Sequence, residues 1–544
     1  MGSSQDLVSV TAWLSTCQTQ HRHCVAFSSQ DNNSFFPTRV LDVADAALGT
    51  VYLRDRADVV AKSSSGYPPY WTLSHRWGNN TKILQLRKES EGGFRDGILT
   101  QNLSPVFRDA VLLVQRLGYQ YIWIDSLCIF QDLLADWQAE AAVMVDVYRN
   151  SLCNISAVAA SYEPSCVGLF DKRRLPPRML FPFVADMEIC VDGNSGEGKM
   201  VSGKWMVYCQ SPWDDEIESA PISTRGWVVQ ERFLAPRVLH FTRNQIYWEC
   251  LEASHAATHP KTNLSFLAYD TSFRSGYKAT GLELSKARAA SESDPLRRLY
   301  HIHWGTIVSN YVRCLLTKES DRLLAMSGIA KVFQEVNRDV YLAGLWRKTV
   351  HADLGWTTEA SSAVPAHRST DLRAPSWSWA SIVGGNVKLY LRTLRNDLPF
   401  PTIKLVDARI VPEGEDGDTM GLLKSAELEI DCVLHHYLWR GEAKSLTVFE
   451  MGSTTVSTNM TLQLALDTSD VVEKFDNAEE IRGVCVPING SYIKYGGGEN
   501  KFLVLEHESG QRYRRLGLIT GSRIGSFLEE DHLHRMDTTR ITLI

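Results

Sequence analysis

The sequence predicts an α/β fold: a parallel, doubly wound sheet with helices, elaborated by further helices and followed by a mostly β C-terminal region. Three observations carry this. Tyr121-Ile-Trp-Ile124 runs without alternation, as a strand buried on both faces does. Two more apolar runs, from Tyr70 and from Cys153, are separated from it by stretches of helical spacing, so strands and helices alternate as in β-α-β units. Beyond about residue 400, short β-runs such as Ala426-Glu-Leu-Glu-Ile-Asp-Cys-Val433 alternate with Gly/Asp turns.

Residues 1–65 read as an irregular lead-in, with Phe35 to Val43 holding a short strand or edge segment. An α/β core follows over about 66–170. Tyr70-Trp-Thr-Leu73 is a strand that breaks into Ser74-His-Arg-Trp-Gly78. Ser104 is placed as an N-cap, with Pro105 at the first helical position and Gly118 closing the helix as a left-handed cap. Phe107, Ala110, Val111, Val114 and Leu117 give that helix its buried face. After the central strand, Asp136 is expected to cap a helix whose Trp137, Glu140, Met144 and Tyr148 share one face. Cys153-Asn-Ile-Ser-Ala-Val-Ala-Ala160 forms a third strand of small residues, ending in the polar Ser161 and Tyr162. Residues 180–250 extend the domain with β-structure, a helix running on from Gly226, and two short strands ending at Cys250. Residues 251–385 begin polar and loop-like to about 295, turn helical from about 297 through Trp346, and end in Ser376-Trp-Ser-Trp379, read as a strand with one buried aromatic face. Residues 386–544 form a mostly β accessory domain.

Composition excludes several classes. The 544 residues carry a net charge of −6 without a long basic run, which argues against nucleic acid as partner. No apolar run reaches the roughly 18 residues of a membrane span, and the first residues lack a basic-then-apolar leader. Eleven scattered cysteines, an odd number, suit reduced thiols in the cytoplasm rather than a disulfide framework. There is no P-loop, no Gly-x-Gly-x-x-Gly after the first strand, no His-Glu-x-x-His and no Gly-x-Ser-x-Gly, so no motif implies a cofactor.

Ligands of open α/β sheets sit beyond the carboxyl ends of the strands. That places Ser74, His75, Arg76 and Trp77 near Asp125, Cys128, Gln131 and Asp132. A thiolate at Cys128 would need a base or positive charge such as His75 or Arg76; the alternative is an inert buried cysteine. Asp125 and Gln131 either serve chemistry or tie down their loop. Glu140 either pairs with a cation at the helix start or faces the crevice. The Arg225, Trp227, Gln230, Glu231 stretch either contributes to the same pocket or forms an internal ion-pair network reaching Arg232. In the lead-in, Cys17-x3-His21-x2-Cys24 has soft ligands but no second pair nearby, so packing or hydrogen bonding is the favoured reading and no metal is assigned.

Five ordered blocks together resemble the fungal heterokaryon incompatibility (HET) domain family: Leu73-Ser-His-Arg-Trp-Gly78, Leu103-Ser-Pro-Val-Phe-Arg-Asp-Ala110, Tyr121 to Asp132, Trp137-x2-Glu140-x3-Met144-x3-Tyr148, and Arg225-Gly-Trp-Val-Val-Gln-Glu-Arg232. The likeness runs from about residue 13 to 250, with Arg76 standing where many relatives carry cysteine. It implies a fold like that of the Toll/interleukin-receptor (TIR) domain, which is flavodoxin-like. It also implies a role in fungal self/non-self recognition and programmed cell death, through self-association or a protein partner. Some TIR domains cleave NAD with a glutamate, and some HET relatives lie among genes of secondary metabolism. The resemblance therefore also implies an enzymatic alternative, with NAD as substrate and Glu140 or Glu231 as the acid.

Overall fold

The structure is a computed structural model that describes residues 4–29, 35–61, 66–77, 83–162, 167–170, 183–192, 198–207, 213–264, 276–289, 300–359, 365–368, 374–389, 400–413, 418–450, 461–490, 499–522 and 537–544. The chain divides into two compact units, Met1–Lys286 and Ala287–Ile544. Among the described residues no helix is long and apolar enough to cross a membrane.

The first unit is built on a nine-stranded mixed sheet. In chain order its strands are β1 (Arg39–Asp42), β2 (Thr50–Asp55), β3 (Tyr70–Ser74), β4 (Ile98–Leu99), β5 (Tyr121–Trp123) and β6 (Cys153–Ser156). A separate hairpin, β7 (Phe183–Asp192) with β8 (Gly198–Val207), comes next. The sheet then resumes with β9 (Arg237–Phe241), β10 (Ile246–Cys250) and β11 (Ser254–Ala256). Across the sheet the order is β11-β10-β9-β6-β3-β5-β1-β2-β4. Its centre, β5-β3-β6-β9, is parallel. Numbered along the chain, those four strands run 2-1-3-4, the order at the heart of flavodoxin-type sheets. Every flanking pair is antiparallel, so the sheet is mixed rather than parallel throughout.

The helices of this unit are α1 (Ser4–Thr19), α2 (Arg22–Ser29), α3 (Arg56–Val60), α4 (Glu91–Asp96), α5 (Pro105–Arg116), α6 (Asp125–Cys128), α7 (Leu134–Arg149), α8 (Gly226–Leu234) and α9 (Tyr277–Ala289). At the start of α5 the Ser104 hydroxyl accepts from Phe107 N and Pro105 takes the first position. Gly118 follows the helix with φ +83°, the left-handed turn its lack of Cβ allows. β3, β5 and β6 are buried along their whole length, so the polar side chains that β3 and β6 carry must find partners inside the protein.

Several expectations are corrected. The lead-in is not irregular: it forms α1, α2, β1, β2 and α3, and β1 is an interior strand between β5 and β2. Asp136 does not cap α7, which starts at Leu134. Instead Asp136 accepts the Phe130 amide and pairs with Arg39. The supposed loop to 295 contains α9, whose Lys278 is buried.

The second unit holds the helices Tyr300–Tyr311 and Leu324–Asn337 and a ten-stranded antiparallel-rich sheet from Phe400 onward, as the β-runs predicted. Tyr341 to Trp346 is a two-residue hairpin, not helix. Ala343 and Gly344 both have positive φ (45° and 106°), the turn that matches strand twist. The Ser/Trp segment is a turn and a 3-10 helix (Trp379–Ser381), because Ser378 Oγ caps Ala380 N while Trp377 and Trp379 are both buried.

Candidate functional site

Leaving β3 the chain crosses to β5 on one side, and leaving β6 it crosses to β9 on the other. The crevice between the ends of β3 and β6 is therefore the topological switch point, where ligands bind in such folds. Here a hydrogen-bond chain fills it. Thr72 Oγ1 donates to Asn154 Oδ1 (3.0 Å), and Asn154 Nδ2 donates to Ser74 Oγ (2.9 Å). Ser74 Oγ in turn donates to Glu231 Oε2 from α8. The Tyr148 hydroxyl of α7 joins the same carboxyl. All five side chains are buried, and each is satisfied by another, as buried polar groups must be. Burial pushes the Glu231 carboxyl up to about 7, with Arg225 and the Ser74 and Tyr148 hydrogen bonds opposing the rise and Asp125 adding to it.

His75 and Asp125 lie beside this chain. The His75 ring is buried edge-on against Phe107 (4.9 Å between centroids), and its Nδ1 is 3.7 Å from Asp125 Oδ1. Burial holds the imidazole below its usual pKa despite Asp125, so it is neutral near pH 7. Asp125 itself accepts from Trp77 Nε1 (3.0 Å) and from the Ser126 amide (2.6 Å). Arg225, just before α8, donates to the His75 carbonyl and fastens the helix to the loop after β3. A recess of about 10 Å³ beside His75, lined by Ser104, Val106, Phe107 and Ala160, has room for one water at most.

The structure thus brings together Ser74, His75, Trp77, Asp125, Arg225 and Glu231. The other sequence candidates go elsewhere. Cys128 is fully buried, its thiol is pushed up to about 12 by burial, and its carbonyl accepts from Arg39 Nε (2.7 Å). Glu140 faces Arg39 (3.3 Å), which also pairs with Asp136 (2.6 Å). Gln131 Nε2 donates to the Asp125 and Ile129 carbonyls, and Asp132 accepts from Lys88 N. Exposed Arg76 reaches the Ser161 carbonyl (3.2 Å). On α8, Trp227 is half-buried and Gln230 fully buried. Arg232 forms the anticipated ion-pair network, held by Glu218 (2.9 Å) and Glu249 (2.8 Å), with His240 also on Glu249 (3.1 Å).

Sequence reasoning missed Thr72, Tyr148 and Asn154 as members of the cluster. For the last two the signal was present: a tyrosine in the same helical stripe as Glu140, and an asparagine inside a strand buried on both faces, where an amide needs partners.

A second cluster lies near one edge of the sheet, at β10. Cys17 of α1, His21 in the turn before α2 and Cys24 of α2 converge with Cys250 at the end of β10, their ligand atoms all within 4.8 Å of one another. A recess of about 270 Å³ borders it through Cys250 and includes Trp213, Arg232, Glu249 and Lys278. This is larger than the space at the strand ends, but its charged lining is engaged internally. Arg232 is paired as above, and the Lys278 ammonium donates to the carbonyls of Arg232, Phe233 and Ala235. The strand-end cluster, not the larger recess, is therefore the candidate site.

No curated protein and no solved structure matches the chain. One family model does, described as Heterokaryon incompatibility protein (HET), over residues 70–231. The match opens on the first residue of β3 and closes on Glu231, so the hydrogen bond from Ser74 to Glu231 joins its two ends. Residues 70–231 of the chain are therefore a HET domain.

Proposed function

We propose that this protein acts in fungal self/non-self recognition, as a cytoplasmic signalling module whose output is growth arrest or cell death. The observation that carries this reading is the closed strand-end crevice. The family's ordered blocks meet there as an internal hydrogen-bonded lock, and the recess beside His75 among the described residues is only about 10 Å³. A module of this kind transmits through protein contact. The second unit is assigned the recognition of a partner. The 2-1-3-4 order of the parallel strands supports kinship with the TIR fold, whose domains signal by association. Inducible expression in a fungal host tests the idea: wild type is expected to stop colony growth, and Ser74→Ala with Glu231→Ala, which take the lock apart, to relieve the arrest. Undiminished growth at high levels of folded wild-type protein would count against it.

One observation favours an enzyme as the second reading. A buried carboxyl titrating at about 7 beside a serine hydroxyl is matched to general acid–base work at neutral pH. On this reading the crevice opens to an NAD-type nucleotide or a pathway intermediate, Glu231 handles the proton, and Arg225 meets the anionic group. Incubation of purified protein with NAD, comparing wild type with Glu231→Gln and Glu140→Gln, is expected to show turnover lost only in the former. Absence of turnover by wild type at high protein concentration removes NAD as the substrate.

A further inference from the structure

We propose that Cys17, His21, Cys24 and Cys250 form a structural zinc site that fastens the N-terminal helices to the end of β10. The sequence supplies three ligands in one turn-linked helix pair. The fold supplies the fourth, 229 residues beyond His21. Four donors at tetrahedral positions, about 2.3 Å (sulfur) or about 2.0 Å (nitrogen) from a zinc ion, stand about 3.5 to 3.8 Å from one another. Here all ligand atoms lie within 4.8 Å of each other, and His21 Nδ1 is 3.4 Å from Cys250 Sγ. The cluster already has nearly the size of a loaded site.

Donor chemistry selects the ion. Three thiolates and an imidazole are soft-to-borderline ligands, suited to zinc and unsuited to magnesium or calcium. With four protein ligands the coordination sphere is closed, which is the arrangement of structural rather than catalytic zinc.

The surroundings complete the argument. Zinc with three thiolates and a neutral histidine carries a net charge of about −1, which a buried site must offset. Two buried cations do so. Arg237, opposite Cys250 on β9, points Nε at Cys17 Sγ (3.1 Å). Lys278 of α9 is 4% exposed and lies within electrostatic range of Cys24 and Cys250. Glu252 accepts from the backbone N–H of His23 (2.5 Å) and of Cys24 (3.4 Å), which holds the start of α2 in place beside the ligands. A hydrophobic reading of three buried cysteines explains neither the convergence of a histidine on them nor a guanidinium aimed at sulfur.

The full-length chain, purified under reducing conditions without chelator, is expected to contain one zinc per chain by elemental analysis. Replacing zinc with cobalt(II) is expected to give the visible bands of tetrahedral cobalt and a sulfur-to-cobalt charge-transfer band in the near ultraviolet. Cys250→Ser is expected to weaken zinc binding at least ten-fold, while Cys314→Ser, a buried cysteine of the second unit, retains it. Folded, fully reduced wild type that takes up no zinc or cobalt would overturn the site. So would equal loss of zinc in Cys314→Ser, because binding would then not depend on this cluster.

Discussion

At the scale of single residues, Glu231 is the group whose environment differs most usefully from water. Its carboxyl sits among Ser74, Tyr148 and Arg225 with burial as the dominant influence, so its pKa rises from 4.5 to about 7. The folded state then binds a proton that the unfolded state has already released between those two values. Stability falls as pH rises through that window. The contribution is complete below about pH 4.5 and gone above about pH 7. Glu231→Gln is always neutral and keeps an acceptor for Ser74. It is therefore expected to flatten the pH dependence between 4.5 and 7 and to exceed wild type at pH 8 by up to about 3 kcal/mol. Denaturant melts at pH 5 and pH 8 measure this, and identical pH dependence in both proteins would refute the assigned environment. The residue scale is also where the site was partly visible in advance. Ser74, His75, Asp125, Arg225 and Glu231 could be picked from strand ends and one polar helix, because reactive groups adjoining apolar runs stand out in a sequence. Cys128 and Glu140 stood out equally, and nothing local separates them from the others. Whether a thiol is packed inert or a carboxylate meets Arg39 is decided by residues far along the chain.

At the scale of elements, the local rules worked where the signal was local. α5 shows this best, with its serine cap, proline at the first turn and glycine close. Ser104→Ala is expected to cost about 1 kcal/mol through the lost bond to Phe107 N. Gly118→Ala is expected to cost about 1 to 2 kcal/mol. A Cβ there meets nothing within 4 Å, so the cost is conformational alone. Thermal melts of both variants test this, and a neutral Gly118→Ala would show that the turn relaxes freely. The elements that departed from expectation have a common cause. Tyr341 to Trp346 is apolar enough for a helix, yet the pair of positive φ angles at Ala343 and Gly344 makes a hairpin, and Trp304 and Trp379 both donate to the Gly344 carbonyl. In Ser376-Trp-Ser-Trp379 the alternation suggested a strand, but both tryptophans are buried by distant segments and the serine hydroxyls donate to the Ile544 and Ala343 carbonyls.

At the scale of the whole molecule, each unit depends on pieces far apart in the chain. In the second unit the strand Thr539–Leu543 lies inside the ten-stranded sheet, antiparallel to Leu423–Cys432 and parallel to Arg512–Ser522. Its Ile541 and Leu543 are fully buried. Truncation that removes residues 539–544 is expected to expose two strand edges and open the core, leaving that unit sensitive to protease. A truncated chain with the wild-type digestion pattern would disprove this.

The sequence by itself determined the main alternation of strands and helices in the HET domain (β3, α5, β5, α7, β6 and α8), the parallel centre of its sheet, the capping of α5 and the β character of the C-terminal region. All of these depend on periodicity and turn chemistry that act within about a dozen residues. Only the tertiary structure decided that Ser74 and Glu231, 157 residues apart, close one hydrogen-bond chain through Asn154 and Tyr148. It alone also brought Cys250 to Cys17, His21 and Cys24, and buried Cys128 beyond reach of chemistry. The physical reason is the same in each case. A polar group taken out of water must find its partner in space, and the chain's local pattern does not say which distant segment will provide it.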